Sequence, residues 1–442
     1  MSEWSVDQVL SLAPDASAQR AARALAGDQA WLESGATTAE DDLPPTVWGL
    51  CQGSGKLPYQ ICVDLTEPAY KCTCPSRKFP CKHALGLLLR WSGGSVPAAE
   101  APGWVHEWHI GRGERAARAA ARDEVRSDPA ATGGSRAPSQ KAQARRADRI
   151  AAGLEELDRW LADQVRAGLS GLRRAGQEPW AAVSARLVDA QAGSLAGVVR
   201  RIVPVAGAPE RLLGELALLR LLISGYQRID TLPPGLADTI KLKIGIPAPT
   251  EDVLAGPRVR DIWQIVGIRD ELEDQLLVRR IWLRAATTGQ PALVLSFGGP
   301  GQTLNTDLIL GTEIDADLCF YPGALRHRAL LAQRHSPPTP ITSVAGRSTI
   351  VEALREHAEA LATDPWIERW PMVLDAVIPA RVEGGWHLVD DGGVGLPIDS
   401  AAGEPWRLVG AAGGRPVPVA GEWSVAGFRP LTSWCEGRLV RL

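Results

Sequence analysis

The most specific chemistry in the chain lies in Cys72, Cys74, Cys81 and His83, within the run Cys-Thr-Cys-Pro-Ser-Arg-Lys-Phe-Pro-Cys-Lys-His over residues 72–83. Three thiolates and one imidazole are the donor set of a closed, tetrahedral, structural zinc site, with no position left for a catalytic water. Cys72 and Cys74 are two apart, so extended backbone puts both side chains on one face. A turn at Pro75 would then bring the sulfurs together over one ion. Cys81 and His83 repeat the spacing at the mouth of the apolar run Ala84-Leu85-Gly86-Leu87-Leu88-Leu89, whose length and leucine content suit a helix packed on the site. Chance clustering of buried thiols with a core histidine does not account for two ligand pairs of equal spacing. The expectation is one structural Zn2+ per chain.

Around these ligands stand Lys71, Arg77, Lys78, Lys82 and Arg90, with no acid between positions 71 and 90. Two causes compete. The cations would contact phosphates as a local patch, which makes Arg77, Lys78, Lys82 and Arg90 candidate contacts to a nucleic acid or another partner. Alternatively they offset the site, since a divalent ion with three thiolates carries a formal charge of about −1. A second cluster is Glu313, Asp315 and Asp317, which alternate along one strand face. They would hold a hard cation, as in a metal-dependent nuclease, or form the solvated face of a half-buried strand.

Other motifs carry less. Gly53-Ser54-Gly55-Lys56 reads as a turn, because Leu50 and Leu57 stand where a phosphate loop needs Gly and Ser or Thr. Cys51 and Cys62 read as packed thiols, cross-strand neighbours in a hairpin. His106 and His109 would share a helical face but lack further ligands for a second metal. No nucleophile elbow, His-Glu-x-x-His or nucleotide loop is present, so no catalytic residue is assigned.

The four ligands resemble the signature of the SWIM zinc finger, Cys-x-Cys, a variable gap, then Cys-x-His. Trp48-Gly49, the Gly-Ser-Gly turn, Tyr59 to Leu65, Pro75 to Pro80, Gly153 to Leu157 with Trp160-Leu161, and Leu187 to Ala192 resemble a bacterial branch of SWIM finger proteins with the finger near the N-terminus. The resemblance implies zinc binding and association with DNA or protein. It also implies an ATPase as a partner, because the family is attached elsewhere to helicase-like ATPases and transposases.

The elements that must position the ligands follow from periodicity. Residues 5–34 read as short helices, and Val47 to Gln52 with Tyr59 to Leu65 as a hairpin whose Tyr59, Ile61, Val63 and Leu65 share a face. The finger is thus expected to be ββα-like. Residues 112–149 hold ten basic and five acidic side chains, and Ser127 to Gln140 reads as a mobile tether that makes the finger an independent arm. Ile150, Leu154, Leu157, Leu161, Val165, Leu169 and Leu172 form one helical stripe, followed by helices over Trp180 to Ala190, Leu195 to Val203 and Leu212 to Tyr226. Trp160 and Trp180 there read as core aromatics. Beyond Ile262 the period falls to two, with strands over Trp263 to Ile268, Leu276 to Leu283 and Ala292 to Phe297 and an acidic turn at Asp270 to Asp274. Thr349 and Glu352 form a capping box. Met372 to Arg381, Trp386 to Val389, Trp406 to Val409, Val417 to Val419 and Phe428 to Leu431 read as strands of a small β-barrel or meander.

The expected architecture is α+β and multidomain. Residues 1–95 hold a helical lead-in and the finger, 96–148 a basic and partly disordered linker, and 149–258 a helical region. Residues 259–345 form a β-rich domain, and 346–442 short helices with the barrel or meander. At 442 residues, 45% hydrophobic and net charge −3, the chain has ample core, and any contact with nucleic acid must be local. Arginine supplies 41 of the 48 basic residues, so arginine-rich stretches reflect composition. Seven cysteines without a signal-peptide pattern point to a reducing cytoplasm. The apolar segment Leu212 to Ile223 is too short to span a bilayer. The expected role is a non-enzymatic adaptor, with the nuclease as the alternative.

Overall fold

A computed structural model of the chain describes residues 4–37, 43–53, 57–66, 68–76, 78–112, 140–202, 208–273, 276–298, 304, 307–342 and 344–442. The N-terminal unit begins with α1 (Val6–Ser11), opened by a Ser5–Gln8 capping box, and α2 (Ala16–Ala24), capped by Asp15. Then come strands β1 (Trp31–Ala36), β2 (Thr46–Cys51), β3 (Tyr59–Asp64) and β4 (Ala69–Cys72), which form one antiparallel sheet in the order β1-β2-β3-β4. Helix α3 (Lys82–Ser92) follows the ligand loop. The hairpin is as expected, but Trp31 and Leu32 belong to a strand instead of a helix. Gly35 permits it, since a Cβ there would lie 2.6 Å from the Trp48 ring. The finger therefore has four strands before its helix.

Alternation along β2 and β3 divides the apolar residues between two faces. Val47, Ile61 and Val63 pack with α1, α2 and α3, while Trp48 and Cys62 face Val105 and Trp108 on α4, a helix over 103–112. Backbone bonds from Ala36 N to Pro97 O (2.9 Å) and Ala99 N to Ala36 O (3.0 Å) extend the sheet edge. Residues 97–112 are thus packed structure where a linker was expected. Helix formation there buries Trp108, which a solvated tether would leave in water. The tether at Ser127 to Gln140 lies outside the described residues, apart from the helical start at Gln140.

Helices α5 (Gln140–Ala167), α6 (Ser170–Ala175), α7 (Glu178–Asp189), α8 (Gly193–Ile202), α9 (Pro209–Gln227) and α10 (Pro234–Ile244) form the helical region. Ile150, Leu154, Leu157, Leu161 and Leu172 enter its core with Trp180, and Trp160 packs edge-on against Trp180 at 5.4 Å. Val165 departs from the expected stripe and is exposed, because it lies near the end of α5, just before Gly168 with its positive φ.

After the short α11 (Thr250–Leu254) come β5 (Arg258–Glu273), β6 (Leu276–Ala285), β7 (Pro291–Gly298), β8 (Thr312–Phe320), β9 (Ala329–Arg334) and β10 (Thr339–Pro340). They form a sheet in the order β10-β8-β5-β6-β7, with β9 also on β8. The acidic stretch expected as a turn continues β5 through Glu273. Its carboxylates are paired across the ladder by Arg279 and Arg280 and from the segment before β11 by Arg369, which lets strand backbone persist there. Helix α12 (Ile350–Thr363) has the expected capping box. Strands β11 (Trp370–Val382), β12 (Gly385–Val389), β13 (Gly395–Pro397), β14 (Val417–Ser424), β15 (Gly427–Cys435) and β16 (Arg438–Arg441) form a sheet in the order β13-β12-β11-β14-β15-β16. It curls back on itself in the manner of a small barrel: Ile398, just after β13, bridges to Phe428 of β15, and Asp399 N donates to Phe428 O at 2.9 Å. Trp406 opens helix α13 (Trp406–Ala412), where a strand was expected. Pro405 before it and the left-handed Gly413 after it bound one short helix.

The two large sheets share one interior. Val373, Ala420, Leu431, Trp434 and Leu439 pack with Trp263, Ile281 and Leu283. Glu422, 1% exposed, accepts from Arg269 at 2.7 Å and from Trp282 Nε1 at 2.8 Å. The N-terminal unit is docked as well. Ile309 lies in its core cluster, and Gln8 Nε2 donates to Gly311 O at 2.9 Å. This corrects the independent arm: a buried amide and an interlocking isoleucine tie the finger unit to the middle sheet.

Candidate metal centre

The site is built where β4 ends and α3 begins. Cys72 closes β4, and its neighbour Thr73 prolongs the ladder: Thr73 N donates to Gln60 O at 3.1 Å, and Thr73 Oγ1 accepts from Gln60 N at 3.0 Å. That clamp holds Cys72 and Thr73 on the ladder, and the chain bends at Cys74, which turns its sulfur toward the site. Cys81 is the N-cap residue of α3, and His83 stands in its first turn. The helix is anchored by Leu85, Leu87 and Leu88, all fully buried, so the second pair is fixed by hydrophobic packing and the first by the sheet.

The four ligand atoms lie within 4.8 Å of one another, and His83 Nδ1 is 3.9 Å from Cys72 Sγ. A tetrahedral zinc with bonds of ~2.0–2.3 Å separates its donors by roughly 3.5–3.8 Å, so the donor set and its spread fit the ion. Among the described residues this is the one such group of metal-ligating side chains. Cys81 and His83 are buried, whereas Cys72 and Cys74 are half-buried. The Tyr59 ring stacks obliquely on His83 at 5.0 Å between centres. Sequence reading missed Tyr59 as a positioning residue, although its place in the alternating β3 face pointed toward the α3 side.

The thiols ionise unevenly. Hydrogen bonding with Cys72 draws the Cys81 thiol down strongly, with help from His83 and the Ala84 amide, and it pushes Cys72 up. Burial pushes Cys74 up. A thiolate at a helix N-terminus is favoured by the helix dipole, which suits Cys81, the N-cap residue of α3, to the role of a metal ligand. Cys51 and Cys62 are not cross-strand neighbours: the register pairs Cys51 with Tyr59 and Trp48 with Cys62. They face opposite sides of the sheet, both buried. Desolvation pushes Cys51 up and Cys62 to about 12, so both are packed thiols, as expected.

The basic residues are dispersed. Arg90 is buried, with its guanidinium 5.8 Å from the Trp31 ring centre and donating to Ser95 O at 3.4 Å. It is therefore a core residue of the finger unit and not a surface contact, which is a correction with a simple cause: α3 is buried almost all round. Lys78 pairs with Asp15 at 2.7 Å. Lys71 sits 5.9 Å from the Trp104 ring, Lys82 is exposed, and Arg77 lies outside the described residues. Lys82 and Lys71 favour the ionised forms of Cys51 and Cys62 respectively.

Glu313, Asp315 and Asp317 do alternate on β8, yet each is engaged. Arg260 grips Asp315 with two bonds of 2.9 and 2.7 Å, and Gln264 donates to Glu313 at 3.2 Å. Asp317 faces His335 at 3.1 Å and Arg258 at 3.7 Å. His109 Nε2 meets Thr46 Oγ1 at 2.9 Å, a structural contact between α4 and β2. Trp434 is buried between the sheets, while Trp386 and the exposed Trp406 pair edge-on at 5.4 Å.

Comparison with known families agrees with this geometry. Residues 62–92 match the SWIM zinc finger, and residues 145–244 match the SWIM-associated four-helix bundle domain. No curated protein and no solved structure matches the chain. The chain thus carries a SWIM-type zinc finger ahead of a SWIM-associated helical bundle, and the finger binds one structural Zn2+ through Cys72, Cys74, Cys81 and His83.

Proposed function

We propose that the protein is a non-enzymatic adaptor of the cytoplasm, in which the zinc-bound finger recognises a protein partner and the bundle and sheets form its scaffold. The observation that carries this reading is the closed ligand set: four protein donors saturate a tetrahedral ion, so the metal organises a surface and leaves no position for substrate. The surface favours a protein over a nucleic acid. Of the cations around the site, Arg90 is buried, Lys78 is paired and Lys71 lies over a ring, which leaves little for a row of phosphates. Phe79 and Leu57 offer exposed apolar contact instead. Cysteines free of disulfides suit a reducing compartment, and no helix among the described residues is long and apolar enough to cross a membrane. The family's ties to ATPases make an ATPase the first partner to examine. A nuclease built on Glu313, Asp315 and Asp317 has less support, because Arg260 and Arg258 already pair with Asp315 and Asp317 and Gln264 holds Glu313.

The test is affinity purification of zinc-loaded and Cys81→Ser protein, beside anisotropy titrations with DNA and RNA at low salt and a plasmid-cleavage assay with magnesium or manganese. A stoichiometric protein partner lost in Cys81→Ser, with neither nucleic-acid binding nor cleavage, is expected. Salt-sensitive nucleic-acid binding that Lys82→Ala weakens would overturn the choice of partner. Cleavage abolished by Asp315→Asn would overturn the adaptor.

A further inference from the structure

Away from the zinc site, a cavity of about 250 Å3 lies where three regions meet: α10 of the bundle, the middle sheet with its 321–328 connection, and residues 364–369 ahead of β11. Its walls are pinned by hydrogen bonds that do not involve any ligand. Leu293 N donates to His327 O at 2.6 Å and Tyr321 N to Arg328 O at 2.9 Å, which fixes the connection to β7 and to itself. Ala324 N donates to Thr239 Oγ1 at 2.9 Å, tying the connection to α10. Lys243 Nζ donates to Trp366 O at 2.6 Å, and Trp366 Nε1 to Leu218 O at 3.0 Å, tying the third wall to the bundle. Such a cavity is preformed, so a ligand would meet little cost of ordering.

The lining charges do not balance. Lys243, Arg280, Arg328 and Arg369 stand against Asp364 and Glu368. Arg280 and Arg369 are held by Glu273 and Glu271. Glu368 takes Arg201 at 2.7 Å, and the buried Asp364 accepts the Trp366 amide at 2.9 Å. Arg328 is different. Its guanidinium lies 4.2 Å from the Tyr321 ring centre, and no carboxylate pairs with it among the described residues. Lys243 likewise has a carbonyl and no carboxylate within pairing distance, although its charge, with that of Arg201, lowers the pKa of Glu368 against the effect of burial. Burial, then Lys243, lowers the pKa of His327, so this ring is neutral at neutral pH and offers hydrogen bonds without charge. Beside these groups, Trp282, Leu293, Leu295 and Ile367 supply an apolar lining. Among the described residues, two cations without a paired carboxylate, set against one carboxylate without a paired cation, Asp364, leave one net positive charge next to aromatic and leucine walls. This suits a molecule that is anionic at one end and flat and apolar at the other.

We propose that this cavity binds a small aromatic anion, a ring bearing a carboxylate or a phosphate, with Arg328 and Lys243 on the anionic group and Tyr321, Trp282 and the β7 leucines around the ring. Because the ligand touches the bundle, the middle sheet and the segment leading to β11, its binding stabilises their joint arrangement by mass action. The site is separate from the finger, and the proposal stands whatever partner the finger takes.

The experiment is isothermal titration of the full-length, zinc-loaded chain with phenyl phosphate, benzoate and inorganic phosphate. At least one ring-bearing anion is expected to bind in the millimolar range or tighter, and whichever of the two binds better identifies the anionic group. Inorganic phosphate should bind at least about tenfold more weakly, lacking the apolar body. Arg328→Gln should weaken the preferred probe about tenfold or more, with zinc content and circular dichroism unchanged. Leu295→Trp, which fills the cavity and keeps every charge, should abolish binding and serves as the independent check if Arg328→Gln misfolds. The proposal is overturned if neither ring-bearing anion binds at millimolar concentration, if inorganic phosphate binds as well as they do, or if both variants bind as the parent does.

Discussion

In the helical bundle the interior is continuous: leucine, isoleucine, valine and alanine from α5, α7, α8, α9 and α10 surround Trp180. In the finger unit the same task is divided among an α1–α2–α3 face, a separate α4 face and four ligands at the end of the sheet. The bundle closes on itself by apolar burial, which needs no ion. The finger's ligand loop has few apolar side chains of its own, and a zinc ion holds two of its ends together. Two modes of stabilisation thus share one chain. A further difference is that the finger is also held from outside, by Ile309 and by Gln8 on Gly311.

The largest effect should come from removing the ion. Cys81→Ser, or a chelator, is expected to release the metal and with it the zinc's contribution to folding, on the order of 10 kcal/mol in isolated fingers. Hydrogen exchange would then show lost protection over 69–92 while the amides of 150–202 and 208–244 remain protected. Unchanged protection of 69–92 without metal would break the comparison and mean that the two packed faces suffice. Next in size is a cavity in the other region. Leu154→Ala, at a position 1% exposed, should destabilise the bundle by about 3 kcal/mol in thermal or urea unfolding, with zinc stoichiometry still one. Metal loss in that variant would show that the regions fold as a single unit. The smallest effect sharpens the boundary between them. Gln8→Ala removes one of two donors to the Gly311 carbonyl, the Ile341 amide at 3.0 Å being the other, together with the capping bond to Ser5 N. It should cost about 1 kcal/mol, read in calorimetry as a wider separation between the finger transition and the rest. A finger transition that does not move would show that the other ties, Ile309, the packing of α1 on β16 and the Arg334 bond to Thr66 O, carry the docking.

The ligand set was legible because metal chemistry is written locally. Cys72, Cys74, Cys81 and His83 sit within one loop, and the apolar run after them could only be the helix that anchors it. The same holds for the bundle stripe from Ile150 to Leu161, the alternating strands at 263–268 and 276–283, and the Thr349–Glu352 capping box, each set by a period or a spacing of a few residues. Sequence by itself therefore determined the metal, its four ligands, the α+β division and the order of helical and β-rich regions.

Tertiary structure decided the rest, because it depends on what lies across a sheet or beyond a connection. Trp31 is a strand residue on account of the edge of β2, and residues 97–112 are packed on account of Trp48 and Cys62. Arg90 looked like a surface cation in a basic run, yet α3 lies between α1, α2 and the sheet, which buries it over Trp31. The acids of β5 form a strand because Arg279, Arg280 and Arg369 arrive from other segments. Glu422, between the two sheets, and the cavity around Arg328 draw on residues more than a hundred positions apart. A charge pattern reports which groups carry charge; only the packing fixes which of them remain uncompensated, and that difference is what makes a site.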